Sequence, residues 1–151
     1  MNESKMMKRI VTEVTISAGR HSINDFEFDD CKLLTKIEIP DSVVLIGDYA
    51  FSGCKSITEI SLPDSVKIVG EGCFENSISL EKVKLSDNLA LIPVRAFYDC
   101  TNLTSITIPD SVKLIEKKAF YGCTSLTEIT VSSECIIEND AFPGGVEIHR
   151  R

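Results

Sequence analysis

Apolar side chains along this chain follow two rhythms, a local alternation of period two nested inside a longer cycle that returns every 23 residues. The alternation is plain in Leu34-Thr35-Lys36-Ile37-Glu38-Ile39. There Ile37 and Ile39 fall on one face and Lys36 and Glu38 on the other, the signature of a strand with one buried side. The longer cycle is marked by phenylalanine at Phe28, Phe51, Phe74, Phe97 and Phe120, 23 apart at every step, with Phe142 arriving one residue early. A period of this length belongs to solenoids, in which each repeat buries its apolar face against its neighbours.

Within one repeat the elements can be assigned in order. Pro40 ends the strand, and Asp41 and Ser42 form a turn whose side chains can satisfy nearby amides. Val43 and Ile46 return apolar groups to the interior, and Gly47 and Asp48 permit a tight bend. Tyr49, Ala50 and Phe51 suit a short helical or 3₁₀ turn with Phe51 as the core wedge. The residue before the cysteine slot is Asp30, Gly53, Asn76, Asp99 and Gly122 in successive repeats, types that tolerate a left-handed backbone, so a positive φ is expected at each. A repeat supplies about eight inward side chains, each worth roughly 1.5 to 3 kcal/mol when large and fully buried, against roughly 1 to 2 kcal/mol to fix each backbone residue. An isolated repeat is therefore expected to be unfolded, and stability to come from the stack.

Strands are read at Val14/Ile16, Ile37/Ile39, Ile60/Leu62, Val83/Leu85, Ile106/Ile108 and Ile129/Val131, with Val146/Ile148 as a seventh after Phe142-Pro143-Gly144-Gly145. They predict a mainly-β solenoid with one parallel sheet of six to seven short strands and irregular or short 3₁₀ segments opposite. The whole chain reads as a single domain: an N-terminal cap over 1–10, about six repeats of 22–23 residues over 11–142, and a C-terminal cap strand over 143–151. Met6, Met7 and Ile10 are expected to cover the first rung, and because neither cap is long, weak end-to-end self-association is held open.

Composition narrows the function. The net charge is -7, with 16 Lys and Arg scattered among 23 acids, which argues against binding nucleic acid or an anionic membrane, since phosphate contacts need clustered bases. No apolar run approaches the roughly 18 residues needed to span a bilayer, so membrane insertion is not expected. Met1 to Arg9 leads into alternating residues and is no signal peptide, which makes a cytoplasmic location the expectation, or the cell surface if a leader has been removed. Cys31, Cys54, Cys100 and Cys123 share one slot, with Ser77 on the remaining rung, so a column of interior thiols is favoured over bridges, although adjacent rungs lie close enough for a disulfide. With only His21 and His149 and no C-x-x-C pair, a zinc site is not expected, and no cofactor is implied.

The repeated elements resemble the BspA-type leucine-rich repeat, also called the Treponema pallidum type. Ile37-Glu38-Ile39-Pro40-Asp41-Ser42-Val43, Ile106-Thr107-Ile108-Pro109-Asp110-Ser111-Val112 and Ala119-Phe120-Tyr121-Gly122-Cys123 carry the likeness, which covers roughly residues 11 to 148. The resemblance implies a right-handed leucine-rich repeat solenoid with a parallel sheet on one side and a role in protein interaction. Members of the family are often bacterial surface proteins or parts of adhesins.

Two surfaces are candidates for that role. On the outward sheet face one column runs Glu13, Lys36, Glu59, Lys82, Ser105, Glu128, alternating in sign over its first four members, and its neighbour runs Thr15, Glu38, Ser61, Lys84, Thr107, Thr130. Exposed pairs of this kind are worth roughly 0 to 1 kcal/mol and suit register as well as binding. On the opposite side Tyr98 and Tyr121 follow the repeat phenylalanine in consecutive rungs and can anchor a partner or pack with each other. Asp41, Asp64, Asp87 and Asp110 form an acidic column, each expected to satisfy its own turn, and single carboxylates that do not converge make no calcium site. No G-x-S-x-G, H-E-x-x-H or phosphate-binding loop is present, so an enzyme is not expected. The leading reading is a non-enzymatic protein-interaction module. A surface or secreted adhesion fragment and a small acidic inhibitor or immunity protein stand as alternatives.

Overall fold

In the computed structural model, which describes residues 3–151, every rung contributes two short strands. They are β1 (Glu13–Thr15) and β2 (Ser22–Ile23), β3 (Lys36–Glu38) and β4 (Leu45–Ile46), β5 (Glu59–Ser61) and β6 (Ile68–Val69), β7 (Lys82–Lys84) and β8 (Leu91–Ile92), β9 (Ser105–Thr107) and β10 (Leu114–Ile115), then β11 (Glu128–Val131) and β12 (Ile136–Ile137). A final strand, β13 (Glu147–Arg150), closes the stack. The odd-numbered strands pair in parallel, Glu13 opposite Lys36, Glu59 opposite Lys82 and Lys82 opposite Ser105, so the 23-residue cycle sets the register. The fold is a mainly-β solenoid of parallel rungs.

The single sheet expected from the alternation is joined by a second ladder of two-residue strands. Val43-to-Ile46 segments do more than fill a corner: β2, β4 and β6 pair with one another, as do β8, β10 and β12. Both ladders are interrupted, the first between β3 and β5 and again between β9 and β11, the second between β6 and β8. The breaks are staggered, so no interface between rungs loses both ladders at once. Ile37 and Ile39 beside the first break are only partly buried, whereas Leu34, Val43, Ile46, Ala50, Phe51 and Cys54 of the same repeat are fully buried.

The segment opposite the sheet is not helical. It is a run of turns in which Ser52 N donates to Tyr49 O and Cys54 N to Phe51 O, while Tyr49, Phe51 and Gly53 donate to Glu71, Cys73 and Glu75 of the next rung. Donors point along the stack instead of along a helix axis because two residues per rung are left-handed. The expected column is present at Asp30, Gly53, Asn76, Asp99 and Gly122, with φ from 56° to 81°. A second column, unforeseen, holds Phe26, Tyr49, Gly72, Arg95, Lys118 and Asp140 at φ 53° to 61°. A non-glycine residue there gives up roughly 1 to 2 kcal/mol, offset by the rung-to-rung bonds it frees.

Phenylalanines 28, 51, 74, 97, 120 and 142 stack in one file, successive centroids 4.9–5.5 Å apart and planes within 12°. Beside them the cysteine column explains its own composition. Cys54, Cys100 and Cys123 each donate Sγ–H to a carbonyl one rung back, those of Phe28, Phe74 and Phe97, at 3.1 Å, and Ser77 Oγ does the same to Phe51 at 3.0 Å. The slot accepts a small side chain with one donor. All six cysteines are buried and free.

Several local expectations are corrected. The Asp64 carboxylate accepts from the Asp87 amide of the next rung, at 2.9 Å, and not from its own turn. Ser42, Ser65 and Ser111 bury hydroxyls that make no hydrogen bond to another protein group, and the turn is closed by its own backbone, Val43 N donating to Pro40 O. At the start, α1 (Glu3–Ile10) leaves Met6, Met7 and Ile10 exposed and so does not cover the first rung with them. The helix is tied instead by Lys8 to the Asp29 carboxylate and the Phe26 carbonyl.

Candidate binding surfaces

Lys36, Glu38, Glu59, Lys82, Lys84 and Thr107 are all exposed on the outward face of the first ladder. The structure brings all but Thr107 around one shallow trough floored by Ile37, Ile39 and Ile60 at the break between β3 and β5. The sign alternation does not make a chain of cross-strand ion pairs. Lys36 Nζ turns to Glu38 Oε1 of its own strand, at 3.1 Å, and that contact, with Glu13 nearby, raises its pKa. Both partners are well exposed, so the pair is screened and adds little.

The opposite side is better built. Tyr98 and Tyr121 lie stacked, centroids 5.4 Å apart and planes 18° from parallel. Arg95, at a left-handed position one turn earlier, lays its guanidinium 4.0 Å over the Tyr98 ring and grips Glu75 at 2.6 and 3.0 Å. Glu75 is almost fully buried and its hydrogen bonds raise the Arg95 pKa, so the guanidinium is fixed in place and charged.

A second aromatic pair stands on the same side and was not singled out in the sequence. Phe26 and Tyr49 stack at 5.2 Å, and the Tyr49 ring then lies across Gly72 of the next rung. A Cβ on Gly72 would stand 2.2 Å from that ring, so glycine is required both by its positive φ and by the close approach. Burial, followed by the nearby Glu71 and Glu75 carboxylates, raises the Tyr49 pKa and keeps its hydroxyl protonated. The signal was available, since Phe26, Tyr49, Gly72 and Arg95 recur at 23-residue intervals. Phe26, Tyr49, Arg95, Tyr98 and Tyr121 therefore form one band along the turn side, Phe26 and Tyr121 about half exposed.

With the repeat geometry in hand, the decisive comparison is with family sequences: residues 21–148 match the BspA type leucine rich repeat region in six copies. The chain belongs to this family. The BspA-type fold is shared with solved bacterial structures. A leucine-rich repeat protein from Eubacterium ventriosum is 24% identical, with a TM-score of 0.79 over 89% of this chain and 43% of its own length. The T. pallidum leucine rich repeat protein is 28% identical, with a TM-score of 0.76 over 89% of this chain and 66% of its own. A leucine rich cell surface protein from Faecalibacterium prausnitzii is 22% identical, with a TM-score of 0.56 over 93% of this chain and 60% of its own. The BspA-type array here thus spans between 43% and 66% of these structures' lengths. No curated protein matches the chain. Among the described residues no helix is long and apolar enough to cross a membrane.

Proposed function

We propose that this BspA-type array is a non-enzymatic protein-binding module whose main contact is the aromatic and arginine band on the turn side. The observation that carries the reading is the clamp of Arg95 between buried Glu75 and the Tyr98–Tyr121 stack. Tyrosine and arginine dominate binding hot spots, and side chains already held in place lose little conformational entropy when a partner docks. The sheet trough, lined by exposed lysines and glutamates with no aromatic anchor, supplies a polar rim to the molecule and not its anchor.

The test is a quantitative capture from native lysate with the wild-type chain and with Tyr98→Ser/Tyr121→Ser. The band predicts that the specifically retained protein is lost by the double variant and kept by a Lys82→Glu/Lys84→Glu variant, both melting within a few degrees of wild type. Equal retention by the tyrosine variant would remove the band from the function. Adhesion at a cell surface would use the same band elsewhere, but six free, buried thiols favour a reducing compartment.

A further inference from the structure

The last rung departs from the other charged pairs of the outward column, which are of opposite sign and end where Lys82 meets the neutral Ser105. Glu13 faces Lys36 and Glu59 faces Lys82, but Glu128 faces Glu147. Among the described residues of this ladder it is the directly opposed pair of like sign, an arrangement that weakens strand pairing. His149, two residues along β13 on the same face, brings Nε2 to 3.4 Å from Glu128 Oε2 and 3.7 Å from Glu147 Oε1. One donor atom from each of the three lies within 4.8 Å of the others. Tetrahedral ligands held at roughly 2.0–2.1 Å from a zinc ion stand about 3.4 Å apart, so both imidazole–carboxylate edges are already near coordination length.

We propose that Glu128, Glu147 and His149 form a surface site for a divalent cation of the zinc class, and that the bound ion clips β13 to β11. The donor set narrows the ion: one imidazole nitrogen with carboxylate oxygens suits zinc and its first-row neighbours, whereas calcium takes six or more oxygens. Exposure of 44% for the imidazole and over 70% for the carboxylates leaves water to complete the shell. The placement answers a local weakness. The far end of β13 is held by Arg150, which donates to Cys135 O at 2.8 Å, and by Arg151, which reaches Ile108 O at 2.6 Å and Asp110 at 2.7 Å. The near end carries the opposed glutamates, and a cation turns their repulsion into a bridge between strands. A protonated His149 would also bridge them without metal, and the two cases separate by experiment.

Zinc chloride titrated calorimetrically into the full chain at neutral pH should show one equivalent bound, weakened roughly tenfold or more by His149→Ala and by Glu128→Gln and unchanged by His21→Ala. The six cysteines are buried and do not compete in the folded protein. Zinc should also slow hydrogen exchange of the Glu147–Arg150 amides in the wild type and not in His149→Ala. Absence of zinc heat, binding indifferent to His149→Ala, or β13 exchange unmoved by zinc would each overturn the proposal.

Discussion

Cys54, Cys100 and Cys123 show how a residue can be specified by one bond. Each is chosen for a small volume and a donor aimed at the phenylalanine carbonyl one rung back, which is why serine substitutes at position 77. The same burial makes the thiols hard to ionise. It lifts Cys31 to about 11 and Cys123 to about 12 from an ordinary 9.0, and Cys54, Cys73 and Cys100 also rise. Above pH 9 the unfolded chain releases these protons while the folded chain keeps them, so the unfolded state binds fewer and stability falls as pH rises. The urea midpoint should hold steady up to about pH 8 and decline between about pH 9 and pH 11, less steeply in Cys54→Ser/Cys123→Ser. A midpoint with the same slope in both proteins would detach the loss from the thiols.

At the scale of the element, the second ladder matters most, because it lets the rungs sit close where the sheet ladder is broken. Among the glycines, Gly70 is where backbone lies closest to backbone: a Cβ there would stand 2.4 Å from Asp48 N and from Gly47 C, atoms that cannot swing aside. Gly70→Ala should therefore force β4 and β6 apart and cost roughly 1 to 3 kcal/mol. Gly144→Ala, with nothing within 4 Å of its Cβ, should be silent. Thermal melting of the two variants decides it, and equal melting temperatures would mean the approach of the rungs is not constrained at that bend. The left-handed columns act at the same scale, turning amide donors from the chain direction toward the next rung, which is why a short helix does not form at Tyr49-Ala50-Phe51.

For the whole molecule the phenylalanine file is the continuous element, running through every break in both ladders. Phe97 lies in its middle, 5.3 Å from Phe74 and 5.1 Å from Phe120, with 1% of its surface exposed. Phe97→Ala should cost roughly 3 to 5 kcal/mol and lower the urea slope as the two halves uncouple. Phe28→Ala, at a partly buried end of the file, should cost distinctly less. A melt shifted by under about one degree in Phe97→Ala would deny the file its role, since roughly 2 to 4 °C is expected per kcal/mol in a chain of this size.

The period, the inward face of each strand, the thiol column and the left-handed positions before it could all be read from the chain, because they follow from alternation, turn chemistry and a cycle that repeats in fixed register. So could the family. The second ladder, the staggered breaks and the bulky residues held at positive φ could not, since they depend on which amides find carbonyls one rung away. The Phe26–Tyr49 pair was within reach of the same 23-residue arithmetic. Glu128, Glu147 and His149 were not: 19 residues separate Glu128 from Glu147, so no column read at the regular interval joins them. Only the folding of the shortened last turn, which slides β13 into register on β11, brings those three side chains together.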